Sequence, residues 1–338
     1  MPVHVLHLVG SAVDDAFCDL SCLYARDALH AVTDPRRYRH SVAHVGPDGR
    51  WRFPSDLERT SIAAAVPMTP GGAVAYLAAL DVDLVLPQMF CRPGMTSYRA
   101  LFDVLRIPYL GNTAEVMALA AHKGRAKAVV AAAGVAVPTG ELLRPGDRPT
   151  VAVPAVVKPV DADNSDGVAL VTDVARFDDA LAGAFAHSSE VLVESYVELG
   201  REVRCGIVVS DGELRCLPLE EYALDRVRTR ADKLGRDADG DLYLVAKDPT
   251  RSWIVDPGDP VTSAVHDAAR RCFAALGCRH YGLFDFRVDP DGRPWFLEAG
   301  PYCSYASTSV VTVMARAAGI ALPELFAMGV AQALAGPR

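Results

Sequence analysis

Between Tyr281 and Gly300 the chain reads YGLFDFRVDPDGRPWFLEAG, the stretch that most restricts what it can fold into. Leu283, Asp285 and Arg287 alternate onto one side of a period-2 strand, Asp289-Pro290-Asp291-Gly292 supplies turn chemistry, and Trp295 to Glu298 forms the return strand. Such a hairpin delivers two carboxylates, Asp285 and Glu298, to a common face. Two hard oxygen ligands on adjacent strands suit Mg²⁺, whose octahedron phosphate oxygens and waters complete. Taken alone, the pair better suits half-buried carboxylates neutralised by Arg287 or another basic group.

A chain of 338 residues, 51% apolar, exceeds one ordinary domain, so two or three are expected. The net charge of −8 argues against a nucleic-acid or anionic-membrane surface, while leaving room for a local basic cleft that holds phosphates. Eight cysteines are scattered without a C-x-x-C pair or zinc-finger spacing, which fits reduced thiols in a cytoplasmic protein. The opening MPVHVLHLVG lacks the basic segment and long apolar core of a signal peptide, and no run reaches eighteen uninterrupted apolar residues. A soluble, unexported protein without nucleic-acid or membrane partners is the expectation.

Val3 to Val9 reads as an apolar strand ending at Gly10, followed by a helical stretch through Tyr24 and Leu29. Val82–Leu86 is a second buried strand, Tyr98–Leu105 a helix and Pro108–Leu110 a third short strand, an alternation that predicts a parallel, Rossmann-like unit over residues 1–120. The alanine-rich run Glu115–Gly134 predicts one bridging helix. Residues 121–193 then read as a central α+β lobe: AVVKP, a polar loop, VALVTD and a helix around Phe177–Phe185. Residues 194–338 read as a C-terminal α+β lobe, with strands at 202–209 and 213–219, a polar segment at 225–241 expected to be a mobile loop, and helices at 261–276 and 310–317.

Lys158 ends an apolar strand just before the turn-prone loop 160–167, where a lysine, loop N–H groups and Ser165 can clamp a phosphate. A solvated strand-end lysine is the plainer alternative. Glu194 and Glu202 flank a short connection that suits adenine on backbone groups and a carboxylate accepting from ribose hydroxyls. In order, Lys123 and Lys127, then VVKP, the serine-containing loop, VLVESYVELGREV and YGLFDF…FLEAG form a pattern that resembles the ATP-grasp superfamily, and within it the D-alanine:D-alanine ligase-like branch.

That resemblance, which spans Pro108 to the C-terminus, implies an ATP site between two α+β lobes. It implies phosphate contacts from Lys127, Lys158 and Ser165, an adenine edge of Glu194, Ser195 and Val197, ribose on Glu202, and a further nucleotide contact from Lys233. Asp285 and Glu298 would hold one or two Mg²⁺ ions, with Mn²⁺ as a substitute. A carboxylate would attack the γ-phosphate to give an acylphosphate and ADP, and an amine would then displace phosphate to form an amide between small amino acids. The resemblance also implies a homodimer.

Four departures bear on the substrate. Gly300 stands where the metal motif usually has asparagine, and Leu283 where the branch has an oxyanion-holding arginine, so Arg204 or Arg287 is expected to take over that charge. VGSAVDDAFCDLS and QMFCRPGMTSY replace the segments that grip the first amino acid; Asp14 or Asp15 is a candidate for its amino-group partner, with helix capping the plainer role for either. PYCSYASTS leaves Ser307 or Ser309 to grip the acceptor carboxylate. The expected product is a dipeptide-like amide other than D-alanyl-D-alanine. An intramolecular ring closure and an ATP-binding pseudoenzyme are the alternatives.

Overall fold

The computed structural model describes residues 1–162, 166–224, 251–336 and the backbone of 234–236 and 242–244. Ser165 and Lys233, and most of the expected loop 225–241, lie outside the described residues. The first sheet comprises β1 (Val3–Gly10), β2 (Tyr38–Val45), β3 (Trp51–Arg52) and β4 (Leu84–Pro87), in the order β3-β2-β1-β4. β1 runs parallel to β2 and β4, as a Rossmann-like unit requires, and the short β3 closes one edge antiparallel. Val5, Leu6, Leu8 and Val9 are wholly buried, because a central parallel strand is covered on both faces. Gly10 (φ 102°) makes the turn out of β1, where a Cβ would sit 2.1 Å from the Val45 carbonyl oxygen. Asp14 then caps the helix Asp15–Val32 by accepting from the Phe17 N–H at 2.8 Å.

Two expected elements differ. Pro108–Leu110 makes only an isolated bridge, Val85 with Tyr109, because Gly111 (φ 104°) turns the chain away. The expected helix Glu115–Gly134 is two helices, Ala114–Ala121 and Lys123–Ala132. His122 breaks it: its ring accepts from the Arg125 N–H at 3.3 Å, and the Lys123 N–H leaves the helical ladder for the Val160 carbonyl at 2.8 Å. Helix propensity summed over an alanine-rich run is blind to such a side-chain cap.

The central sheet comprises β5 (Gly140–Leu143), β6 (Ala155–Pro159), β7 (Ala169–Val171) and β8 (Val191–Ser195), all antiparallel, in the order β5-β8-β6-β7. Period-2 alternation sends Ala155, Val157, Val191 and Val193 onto the helix Phe177–Phe185, and Val156, Lys158, Leu192 and Glu194 to the opposite face. β8 continues to Ser195, so the expected boundary after residue 193 falls within that strand.

The C-terminal sheet comprises β9 (Arg201–Ser210), β10 (Glu213–Cys216), β11 (Glu220–Tyr222), β14 (Ser252–Ile254), β15 (Tyr281–Val288) and β16 (Pro294–Ala299). The main path is β14-β11-β9-β15-β16, with β10 hairpinned onto β9; β12 (Leu234–Arg236) and β13 (Leu242–Leu244) form a separate ribbon. Val203, Cys205, Ile207, Phe284, Phe286 and Val288 bury one face under the helix Val261–Ala275. The other face is divided. Val208, Tyr281 and Leu283 pack with Met314, Phe326 and Leu110 in an apolar cluster that joins this sheet to the first unit, while Glu202, Arg204, Asp285 and Arg287 make its charged end. Among the described residues, no single helix is long and apolar enough to cross a membrane.

Candidate active site

On the central sheet, β6–β8 register pairs Lys158 with Leu192 and Val156 with Glu194, which makes Lys158 and Glu194 diagonal neighbours on one face. Lys127, from the helix Lys123–Ala132, reaches the same point: its Nζ lies 3.0 Å from Glu194 Oε2, and Lys158 forms a short ion pair with Oε1. Lys127 also donates to the Phe296 carbonyl of β16 at 2.9 Å, so it ties the two sheets together. Glu194 is 2% exposed, Lys127 5% and Lys158 8%. Two buried ammonium groups thus share one carboxylate, leaving a net positive charge away from water. Burial works to raise the Glu194 pKa, but the charges of Lys127 and Lys158 outweigh it and hold the carboxylate below its usual range. The expected adenine-edge glutamate therefore stands between the two expected phosphate lysines. Ser195 and Val197 lie just beyond it; the Ser195 N–H is engaged by Thr139 O at 2.8 Å, and the Val197 carbonyl accepts from Arg287.

Burial, partly offset by Glu194, lowers the Lys127 pKa from its usual value to about 8. Above that pH the free protein loses a charge that a phosphate would favour, so nucleotide binding should take up a proton. The expected result is an ATP dissociation constant that rises by up to about tenfold per pH unit above pH 8. Lys127→Arg should flatten that dependence, because arginine does not titrate there. Calorimetry in buffers of different ionisation enthalpy measures the proton directly; no uptake at pH 9 would contradict the assignment.

On the C-terminal sheet, Glu220, Arg204, Asp285 and Glu298 stand opposite one another across β11, β9, β15 and β16. Arg204 Nε lies 2.9 Å and 3.1 Å from the Asp285 carboxylate oxygens, its guanidinium rests 4.8 Å from the Tyr222 ring centre, and the Tyr222 hydroxyl donates to Glu220 at 2.5 Å. One row along, Arg287 donates to Glu202 at 2.7 Å and to the Val197 carbonyl at 3.3 Å, and sits 5.4 Å from the Tyr196 ring centre. Period-2 spacing sets Arg287, one of the two arginines expected to compensate for the missing oxyanion arginine, one row away from the Asp285–Glu298 pair, where Glu202 and the 196–197 connection hold it. Arg204 alone of the two touches that pair. Leu283 packs with Cys303, Met314 and Val311, and the facing Gly206 has Met314 Sδ 3.1 Å from where its Cβ would be, so an apolar wall fills the expected arginine's place.

Lys123 is a site neighbour that the sequence marks only by its i,i+4 spacing from Lys127. Its Nζ donates to Ala162 O at 2.6 Å, at the mouth of the loop that carries Ser165, and lies 3.7 Å from Glu298 Oε2. The Glu298 side chain is 38% exposed against 14% for Asp285. A Cβ at Gly300 would meet nothing nearer than Tyr302 at 3.6 Å. Opposed carboxylates, one of them open, with room for water in place of a third side-chain ligand, suit a hydrated Mg²⁺. At the far end, both the Ser307 hydroxyl (2.8 Å) and its N–H donate to Asp27, whereas Ser309 precedes the helix Val310–Ala317 without capping it by its side chain. Cys303 is buried beside Ser309 and serves packing.

A lysine-lined central sheet facing a carboxylate-bearing sheet, bridged by Lys127 and Lys123, defines an ATP-grasp fold. Residues 147–330 match the family model for the D-ala D-ala ligase C-terminus. The chain is 28% identical to a D-alanine–D-alanine ligase of Mycolicibacterium smegmatis, over 94% of this chain and 92% of that one. It is 32% identical to one of Citrifermentans bemidjiense, over 74% and 78%. Its fold matches the VanG D-Ala:D-Ser ligase of Enterococcus faecalis (TM-score 0.80, 21% identity, 98% of this chain and 100% of that one). It also matches a Bacillus anthracis D-alanine–D-alanine ligase complexed with ATP (TM-score 0.72, 20% identity, 98% and 97%). The chain belongs to the D-alanine:D-alanine ligase family of ATP-dependent, ADP-forming ligases.

Proposed function

We propose that this chain is an ATP- and Mg²⁺-dependent carboxylate–amine ligase that joins two amino acids through an acylphosphate. The arrangement of Lys127 and Lys158 around Glu194, joined through the Phe296 carbonyl to the strand that carries Glu298, supports this most directly. Lys127 and Lys158 would turn from Glu194 toward nucleotide phosphates, Glu202 would hold ribose from a position fixed by Arg287, and Ser195 and Val197 would border the adenine. Ser165 and Lys233 keep the phosphate-covering and nucleotide roles that the resemblance implies. Mg²⁺ on Asp285 and Glu298 would neutralise charge on the transferring phosphoryl group. Phosphoryl transfer is governed chiefly by positioning and charge neutralisation, which these side chains supply.

In this scheme a substrate carboxylate oxygen attacks the γ-phosphorus, the bond to the β-phosphate oxygen breaks and ADP leaves. An amine nitrogen then attacks the acyl carbon, loses a proton and expels phosphate. Arg204, already against Asp285, would stabilise the oxyanion in that second step. The curated relatives bear the name D-alanine–D-alanine ligase and lend no support to a different product. That part of the proposal rests on Leu283, the two N-terminal substrate segments and PYCSYASTS alone.

The test is ADP release across paired L- and D-amino acids, with the product read by mass spectrometry. ADP together with a condensed product of both amino acids is the expected result. Release of ADP with a product that has only lost water would move the chain to ring closure. ATP binding without any substrate-dependent ADP would make it a nucleotide-binding protein.

A further inference from the structure

Three aromatic side chains from three separate segments meet beside Gly300, just past the end of β16. Tyr24 comes from the helix Asp15–Val32, Phe90 follows β4, and Tyr302 lies four residues beyond Glu298. The Tyr24 and Phe90 ring centres are 5.4 Å apart at 74°, and those of Phe90 and Tyr302 are 5.8 Å apart at 55°. Edge contacts of this kind form a wall rather than a stacked plug. None of the three rings belongs to the apolar clusters that hold the sheets and helices together. Tyr302 is 42% exposed, and Tyr24 and Phe90 are half-buried, so apolar ring surface stays open beside a charged face. Tyr302 Cε1 lies 3.6 Å from where a Cβ at Gly300 would sit, which sets the group beside the end of β16 that carries Glu298.

A carboxylate that receives a phosphoryl group must approach the Asp285–Glu298 face, which Arg204 borders. The rest of that same amino acid must then lie against whatever adjoins that face. We propose that Tyr24, Phe90 and Tyr302 form the side-chain pocket of the amino acid whose carboxylate is phosphorylated, and that it selects an aromatic or large aliphatic side chain over a methyl group. This rests on the ligase reading above. Phe90 belongs to one of the two segments whose departures from the family pattern already point away from alanine, and Tyr24 lies three residues beyond the other.

The experiment uses the full chain with ATP, Mg²⁺ and hydroxylamine, offering one amino acid at a time. The carboxylate takes the γ-phosphoryl group with loss of ADP, and hydroxylamine nitrogen then displaces phosphate to leave a coloured hydroxamate on treatment with iron. The expected kcat/KM for phenylalanine exceeds that for alanine of the same hand by at least about tenfold. Tyr302→Ala, at an exposed position that leaves folding intact, and Phe90→Ala should each bring that ratio toward one, mainly by raising KM for phenylalanine. Alanine trapped as well as phenylalanine, or a ratio unmoved in both variants, would overturn the pocket while leaving the ligase standing. No hydroxamate with any amino acid, despite ATP binding, would remove the ligase reading and the pocket with it.

Discussion

Glu298→Gln lowers turnover by about 10²-fold or more at saturating Mg²⁺, with little change in stability. Asp285 is already held by Arg204 in the cross-strand row, whereas Glu298 has the more open carboxylate, 3.7 Å from the Lys123 ammonium. Gly300 offers no side chain to take its place, so the loss of a charged ligand falls wholly on the transferring phosphoryl group. An ion pair that open contributes at most about 1 kcal/mol, and the melting temperature should barely move. Steady-state rates over a range of Mg²⁺ concentrations, beside a thermal melt, separate the two effects. Near-normal turnover would take Glu298 out of the metal site.

The second large effect concerns stability. Glu194→Gln removes the one negative charge between Lys127 and Lys158, leaving two buried lysines without the carboxylate that favours their charged forms. Breaking a buried charge cluster by deleting one partner typically costs about 3–5 kcal/mol. Because the Glu194 pKa is held below the usual carboxylate range, its contribution is fully present above that range and is lost as the pH falls through the depressed value. At neutral pH the whole cost should therefore appear. Nucleotide phosphates would restore negative charge at the same point, so saturating ATP should raise the melting temperature more in the variant than in the parent protein. Equal ATP-induced shifts in the two proteins would show that the phosphates do not reach these lysines.

The carboxylate hairpin was legible because everything that makes it is local. Alternation over Tyr281–Val288, an Asp-Pro-Asp-Gly turn and a return strand put Asp285 opposite Glu298, as β15 and β16 do. The helix Phe177–Phe185 and the strand Ala155–Pro159 that carries Lys158 were readable for the same reason. The place of Glu194 was not. It follows from a diagonal across β6 and β8, strands about thirty residues apart, plus a lysine from a helix that propensity alone would have run straight through His122. The Arg287–Glu202 pair depends likewise on β9–β15 register across eighty-five residues. The helix Leu322–Ala335 escaped because it is apolar almost all round, so no amphipathic stripe marks it; it buries Phe326 and Val330 between the first sheet and the C-terminal one.

The central claim is that a substrate carboxylate, and not water, receives the γ-phosphoryl group. The most direct measurement supplies the amino acid that supports ADP release with ¹⁸O in its carboxylate and reads the released phosphate by mass spectrometry. Transfer through an acylphosphate predicts one labelled oxygen in each phosphate formed with product. Unlabelled phosphate accompanying the same ADP release would mean that the carboxylate never takes the phosphoryl group, and the ligase mechanism would fall with it.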